Sequence, residues 1–499
     1  MKKHIAVIVA IVLLLLPACS ADIQPGAADD STTIPAGTSG GNAANNEDSG
    51  FGGSVGGGGV APDGGGPVSY AGPVFPLSVL DNAEGLTATR DIIFDFNDFW
   101  VTEQPFMRQL DIKVTDRYVL TNETADDITA KIVYPFPGSF SDFHRQQPTI
   151  TIGGNTVETE LLAGPYCGGF TGSYGGDNSQ AMNLKQIGSW EDYIPVLSDG
   201  EYLKQTLGTA ADLNQIVTVY EFSNVNADFS DAAAPTLAAS FNYDSKKTFI
   251  LSYGFNGVYI DGGFMRQSFF IPQEGSGQET SPFILIVVGD DIANLTINGY
   301  KDGSCSEGME ATADVSSYQT MLGDALAPLL DNFIALNSYD AGWLAYETKS
   351  SDLGMLRRAV AEMLRGYGAL SENTIPRYGM GQLDDIFNDL FDMDRIFYLV
   401  AEISVPAGES DTLSADMIKP GSINYYGTGT GDSETYGYDM LTQLGSDLEF
   451  SKVTAGISGA GRIVIVRQNF GFDPQNGVLN VTLDPQEPHY YLNVSRRLG

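Results

Sequence analysis

Cysteine and histidine are the scarcest reactive side chains of this 499-residue chain, with three of each, and their placement limits the chemistry it can host. Cys167 lies in Gly164-Pro165-Tyr166-Cys167-Gly168-Gly169 and Cys305 in Gly303-Ser304-Cys305-Ser306, both in loop-forming surroundings. In an oxidising compartment the two could close a long loop as a disulfide, or they could stand as separate thiols; the Cα separation that decides is not written in the sequence. Cys167 with His144 would make a nucleophile and its base, but no third residue that would orient the histidine accompanies them. His489, in Pro488-His489-Tyr490-Tyr491, reads as a strand residue. Asp385, Asp389 and Asp392 recur at helical spacing with Asp384 and Asp394 beside them. Three carboxylates on one face could hold calcium or raise one another's pKa, but the Asp-x-Asp-x-Asp-Gly loop is missing and a solvated helix face is the simpler reading. Arg357, Arg358 and Arg365 read in the same way, as solvent-facing or paired with acids. Tyr425, Tyr426, Tyr436 and Tyr438 flank the Gly427-Thr428-Gly429-Thr430-Gly431 loop, where tyrosines could contact carbohydrate by stacking on sugar rings or could pack a hairpin.

The motifs of phosphate, dinucleotide and zinc-peptidase chemistry are missing from the sequence, and two Gly-x-Ser-x-Gly matches at Ser39 and Ser54 fall in a glycine-rich stretch that offers no strained strand-to-helix turn. No catalytic residue, metal ligand or cofactor is therefore assigned. Acidic side chains outnumber basic ones 63 to 26, for a formal charge of −37. A phosphate surface would repel such a chain, so nucleic acid is not an expected partner.

The N-terminus gives an address. Lys2 and Lys3 precede an apolar run from Ile5 to Leu16, followed by Leu16-Pro17-Ala18-Cys19. As a helix that run would be about 18 Å long, against a hydrocarbon core of about 30 Å, which suits a cleaved signal better than a permanent span. Leu16-Pro17-Ala18-Cys19 resembles the lipobox of bacterial lipoproteins. The resemblance implies lipidation of Cys19 with fatty acyl groups such as palmitate, and a mature protein anchored to the cell membrane on its extracytoplasmic face. From residue 19 to 76 the chain is dominated by Gly, Ala, Ser, Asn, Pro and Asp and cannot build a core, so a disordered tether is expected.

The elements that must position any site are mostly strands. Ile112, Val114, Tyr118 and Leu120 alternate with polar residues, Asn122-Glu123-Thr124 forms a turn, and Ile128, Ala130, Ile132 and Tyr134 alternate again. This predicts two antiparallel strands with one buried face, the second stopped by Pro135-Phe136-Pro137-Gly138. Residues 149–161 predict a hairpin turning at Gly153-Gly154. Tyr118-Val119-Leu120-Thr121-Asn122 followed by Ala130 to Pro137 resembles the vault/inter-α-trypsin (VIT) pattern, over about 78–165. That resemblance implies a β-sandwich used for protein contacts; a generic immunoglobulin-like sandwich is the alternative. Such domains often precede a von Willebrand A domain, but the sequence reading finds no Asp-x-Ser-x-Ser metal motif, so that pairing and its cation chemistry are not carried over to this chain.

Ile216–Tyr220, Thr248–Tyr253, Ser268–Ile271 and Phe283–Val288 predict a second β domain closing near Gly299-Tyr300. The period then changes to 3.6 residues, first at Leu322, Ala325, Leu326, Leu329, Leu330, Phe333 and Ile334, then over 353–364 and 383–391. Strands return after Ile396, including a hairpin expected at Asn476-Gly477. The fold class read from the sequence is mainly β with a helical insert, several antiparallel β-sandwich domains plus a helical segment at about 309–395. The expected divisions are 1–18 signal peptide, 19–76 tether, 77–165 VIT-like sandwich, 166–308 second β domain, 309–395 helical segment and 396–499 C-terminal sandwich. The expected role is a non-catalytic interaction or structural one at the cell surface. Its expected partners are the membrane, through the N-terminal lipid, and a protein or glycan. The alternative is a carboxylate-dependent hydrolase or carbohydrate-binding protein acting on polysaccharide.

Overall fold

The structure, a computed structural model, describes residues 71–80, 84–103, 108–141, 143–166, 210–232, 234–272, 282–338, 353–366, 369–370, 380–392, 395–423, 435–443 and 446–497. All of them belong to one compact unit, Ser54–Gly499. The fold is mainly β, with five sheets and a small helical part.

A seven-stranded sheet carries, in order, Asn480–Leu483, Glu449–Ser458, Leu86–Glu103, Arg108–Asn122, Ser410–Pro420, Thr149–Ile152 and Asn155–Thr156. Its pairings are antiparallel except that of Leu86–Glu103 with Glu449–Ser458, which is parallel. The alternation read around residues 112–120 extends across it: Ala88, Ile92, Phe94, Ile112, Val114 and Leu120 are buried, while Ile93, Lys113 and Arg117 on the opposite face are exposed. That buried face packs on two four-stranded sheets. One is ordered Ser78–Val79, Ile128–Gly138, Arg395–Val405, Glu160–Tyr166; the other Ser422–Ile423, Thr435–Leu441, His489–Arg496, Ile463–Gln468. Phe96 meets Tyr438 edge to face and Phe94 meets Phe470 the same way, which ties the large sheet to the second of them.

Three sequence expectations are corrected here. Residues 108–122 and 128–138 are both strands, with the buried positions expected of them, but they are not a hairpin: the second pairs with Arg395–Val405 in the facing sheet. Asn122 makes the corner, donating from Nδ2 to the carbonyls of Asp126 and Val405 while its Oδ1 accepts from the Thr124 amide and hydroxyl. Pro135 and Pro137 do not stop the strand, which runs on to Gly138. Leu80 N–H donates to Lys131 O, so odd-numbered residues turn their backbone polar groups toward the two-residue strand Ser78–Val79. That strand ends opposite Val133, and the missing N–H groups of both prolines face the side it has vacated. Finally, strands from 77–165 and 396–499 share two sheets, so the boundaries drawn there do not separate independent sandwiches.

The Gly153-Gly154 turn is as expected, with both residues at positive φ and Ile152 paired to Asn155. Asn476-Gly477 also turns, Gly477 at φ +79°, closed by a bridge between Asp473 and Val478. The strands on either side, Ile463–Gln468 and Asn480–Leu483, nevertheless lie in different sheets.

A second sandwich stacks two five-stranded sheets. The inner sheet is ordered Ala311–Met321, Ile216–Ala227, Phe283–Gly289, Thr248–Tyr253, Met380–Gln382; the outer sheet Gly257–Asp261, Phe264–Phe270, Thr236–Asn242, Ala293–Tyr300, Gly308–Met309. Ile250, Leu285 and Val287 of the inner sheet share a core with Leu237, Phe241 and Met265 of the outer one. The alternate residues Phe249, Leu251, Ile284 and Ile286 face the helices. Buried on both faces, these strands read as continuous apolar runs. After a short turn of helix α1 (Phe143–Gln146) earlier in the chain, the helical layer consists of α2 (Leu322–Ser338), α3 (Leu353–Gly366) and α4 (Leu383–Asp392). All seven residues of the first stripe, Leu322 to Ile334, are buried. The helical segment starts later than expected, because Ala311–Met321 is a strand.

Candidate functional site

Most buried polar groups in the described residues hold strands together. Arg90 and Asp116 are diagonal neighbours on the buried face of the two longest strands of the large sheet, Arg90 being registered with Tyr118 and Asp116 with Ile92. Arg90 Nε donates to Asp116 Oδ1 at 2.9 Å and Nη2 to Oδ2 at 2.8 Å, a two-pronged pair. Nη1 donates to the carbonyls of Leu441 and Thr442, and Nη2 reaches Phe75 O at 3.3 Å. The hydroxyls of Tyr118 and Tyr134 donate to Asp116 Oδ2 at 2.7 and 2.9 Å, and Tyr118 in turn accepts from the Leu77 amide. Burial alone would lower the Arg90 pKa, but Asp116 outweighs it and holds the guanidinium charged. Burial, with the Asp116 charge adding to it, pushes both tyrosines well above their ordinary value. The cluster ties three separate chain segments, at Phe75–Leu77, Tyr134 and Leu441-Thr442, to the seven-stranded sheet, with its carboxylate and guanidinium enclosed.

His489 and Asp439 form a second buried pair, Nε2 to Oδ2 at 3.0 Å, across neighbouring strands. Burial lowers the His489 pKa, and the hydrogen bond and charge of Asp439 oppose this only in part. The sequence reading of His489 as a strand residue holds. Arg395, buried at the start of its strand, donates to Glu362 Oε2 of α3 at 2.6 Å and lies over the Phe140 ring. Asp384, on the first turn of α4, accepts from the Gly254 amide at 3.0 Å, and burial raises its pKa; Asp385 is raised by burial and by Asp389. The side chain of Asp392 and all of Asp394 lie outside what is described. Among the described residues, no group of three or more His, Cys, Asp or Glu side chains is placed to hold a metal ion.

Tyr436 and Tyr438, considered for carbohydrate contact, are core residues at 2% and 0% exposure, with Tyr438 donating to Leu110 O. Their rings are covered, which corrects that reading for these two and agrees with hairpin packing. Tyr425 and Tyr426 lie outside the described residues, as do Cys19 and Cys167. Cys305 is a buried, free thiol at φ +53°. It belongs to Asp302-Gly303-Ser304-Cys305-Ser306, an Asp-x-Ser-x-Ser spacing that sequence reading missed. Asp302 Oδ1 accepts from the Ser304 amide and hydroxyl, and the hydroxyls of Ser304 and Ser306 lie 2.8 Å apart. The motif sits on the connection between antiparallel strands, Ala293–Tyr300 and Gly308–Met309, and its hydrogen bonds shape that loop.

Among the described residues a cleft of about 570 Å³ opens at one end of the second sandwich. The strand Ile216–Ala227 bulges there against Ala311–Met321, between Thr312 and Asp314. Asn224 takes φ +49° at the bulge and donates from Nδ2 to Asp314 Oδ2 at 2.7 Å. An Asn at this position is favoured because its short polar side chain tolerates the left-handed region. The bulge turns Phe222 and Val225 toward Ile271, Pro272 and Phe283, giving apolar walls, with Ser223 and Asn224 at the rim. Glu221 is the one ionisable side chain among the described lining residues. It accepts from Tyr318 at 2.7 Å; burial, reinforced by this hydrogen bond, pushes the Tyr318 pKa up to about 12. A cleft of this composition favours uncharged or cationic ligands with apolar surface. A glycosidic bond cleaved by paired carboxylates needs two of them facing across about 5–9 Å; the described lining residues contribute one, Glu221. The sequence signal for it was local: Asn224 and the two prolines at 272 and 282 punctuate otherwise β-rich runs.

Compared with known protein families, curated proteins and solved structures, the chain matches none.

Proposed function

We propose that this protein is a lipid-anchored surface protein with a non-catalytic interaction role, Cys19 carrying the anchor and the β-sandwich layers presenting the binding surface. The observation that supports the reading best is the cleft bounded by Phe222, Val225, Ile271 and Phe283, whose apolar walls suit holding a ligand. A lipobox-like segment followed by a glycine-rich stretch agrees with a body held at a distance from a membrane. The ligand is a peptide or glycan with uncharged or basic character, since a chain of net charge −37 repels acidic ones.

The test is binding of the purified full chain to peptide and glycan panels, with Val225→Arg as the variant that fills the cleft. Saturable binding that falls at least about tenfold in Val225→Arg, without loss of thermal stability, is the expected outcome. Turnover of a glycan, peptide or ester that disappears on changing one carboxylate would contradict the proposal and favour the hydrolase.

A further inference from the structure

The strand Ala311–Met321 is the longest strand on a sheet edge among the described residues, and its outer edge has no backbone partner among them. Other sheet edges are closed by strands of two to seven residues. Native edges of this length are usually blunted with lysine, proline or inward charges. This one holds a single charged residue, Asp314, already tied to Asn224, and no proline. Both faces are open: Val315, Tyr318 and Met321 are 39%, 44% and 46% exposed.

We propose that this edge is a homodimer interface, on which a second copy of the chain adds the same strand antiparallel to form one continuous ten-stranded inner sheet. Parity of the backbone fixes which residues an added strand would bond, and the pattern of side chains is self-complementary, as a second copy requires. Leu322 N–H donates inward to Gln215 O, so even-numbered residues bond to the neighbouring strand while Val315, Ser317, Gln319 and Met321 turn their N–H and C=O groups outward. A twofold axis at Tyr318 places Ser317 opposite Gln319 of the second copy and Val315 opposite its Met321. Each such pair joins two outward-facing residues and exchanges two hydrogen bonds. Tyr318 then meets its own copy, and Ser316 meets Thr320. The apolar side chains of Val315 and Met321 meet twice across the axis on one face of the sheet, and Asp314 falls opposite Leu322 instead of another acid. The arrangement is isologous and closes at two copies, leaving this edge saturated. It does not depend on the lipid anchor, and it meets the cleft only through the contacts of Tyr318 with Glu221 and of Asp314 with Asn224.

Charge sets its salt dependence. Two bodies of net charge −37 repel one another while the strand itself is nearly neutral, so dimerisation should strengthen as salt rises.

The test uses the purified full chain. Sedimentation at increasing concentration should show a monomer–dimer equilibrium that tightens between low and high salt. Tyr318→Cys should give a disulfide-linked dimer under mild oxidation, because directly opposed residues lie about 4.5–5.5 Å apart, within disulfide reach; Thr312→Cys should not. Ser317→Lys with Gln319→Lys places like charges opposite twice and should weaken the dimer at least about tenfold. Ser317→Glu with Gln319→Lys places opposite charges there and should restore it. Unchanged melting of these exposed-site variants separates loss of dimer from loss of fold. A chain that stays monomeric at all concentrations and salts overturns the proposal, whether the edge is bare or covered by another part of the same chain. So does a dimer that neither cross-links through residue 318 nor responds to the lysine pair, or an edge that pairs only with a different protein.

Discussion

Removing one member of the Arg90–Asp116 pair leaves the other charged and enclosed. The substitution Arg90→Met should therefore cost about 3–5 kcal/mol in urea unfolding of the full chain. The Asp116→Asn variant strands the Arg90 guanidinium and should be destabilised in the same range, with Tyr118 and Tyr134 keeping an oxygen to donate to. A cost below about 1 kcal/mol in both would mean that the cluster is dispensable to the fold. His489 gives the pH dependence a sign. Its folded pKa lies below the unfolded value of about 6.5, so the unfolded chain takes up the proton first. Its stability contribution is complete above about pH 6.5 and declines as the pH falls below it. Asp384 acts in the opposite sense: its raised folded pKa means that the folded chain takes up the proton first, so stability recovers as the pH falls from its folded value toward the carboxylate range. Denaturant midpoints at pH 7.5 and 5.5 should show a loss on acidification that is smaller in His489→Gln, and an unchanged loss in that variant would assign the slope to other groups.

Secondary elements were legible wherever burial imposes a period. Leu322 to Ile334 and Leu383 to Phe391 showed their apolar stripes, and the same residues are buried in α2 and α4. Ala311–Met321 was not legible as a strand because neither face is covered, so nothing in its composition alternates. Strand partners were illegible for a different reason. Period two says which side of a strand is buried but not which strand lies beside it, and residues 108–122 and 128–138 show their apolar sides to each other across a core instead of along an edge. Pro135 and Pro137 were misread as a stop because a free sheet edge accepts them. Of the candidate site, only the punctuation at Asn224, Pro272 and Pro282 was visible; the convergence of Phe222, Ile271 and Phe283 depends on stacking of two sheets. Two substitutions test the helical layer and its attachment. Phe387→Ala removes a ring packed against Tyr253 and Phe333 and should cost about 3–5 kcal/mol. Gly254→Ala adds a Cβ at φ +78° within 2.6 Å of Pro282 O and should cost more than about 1 kcal/mol in the same assay.

At the scale of the molecule, the strands Arg395–Val405, Ser410–Pro420 and Glu449–Ser458 complete sheets begun before residue 140, so the first and last parts of the body depend on each other. Truncation after α4 should abolish cooperative unfolding of the remainder rather than leave a folded N-terminal sandwich, as calorimetry would show. Interleaving of this kind makes the sheets of the described residues mutually dependent, which suits the proposed presentation of a cleft and an edge. The proposed role rests on that body being held at a membrane from outside, and the most direct measurement is fatty-acid labelling of the chain in producing cells, combined with protease treatment of the intact cells. The account predicts that the labelled chain is found in the membrane fraction and is cleaved by external protease, and that Cys19→Ala removes the label and releases the chain from the membrane. An unlabelled wild-type chain, protected inside the cell, would contradict it.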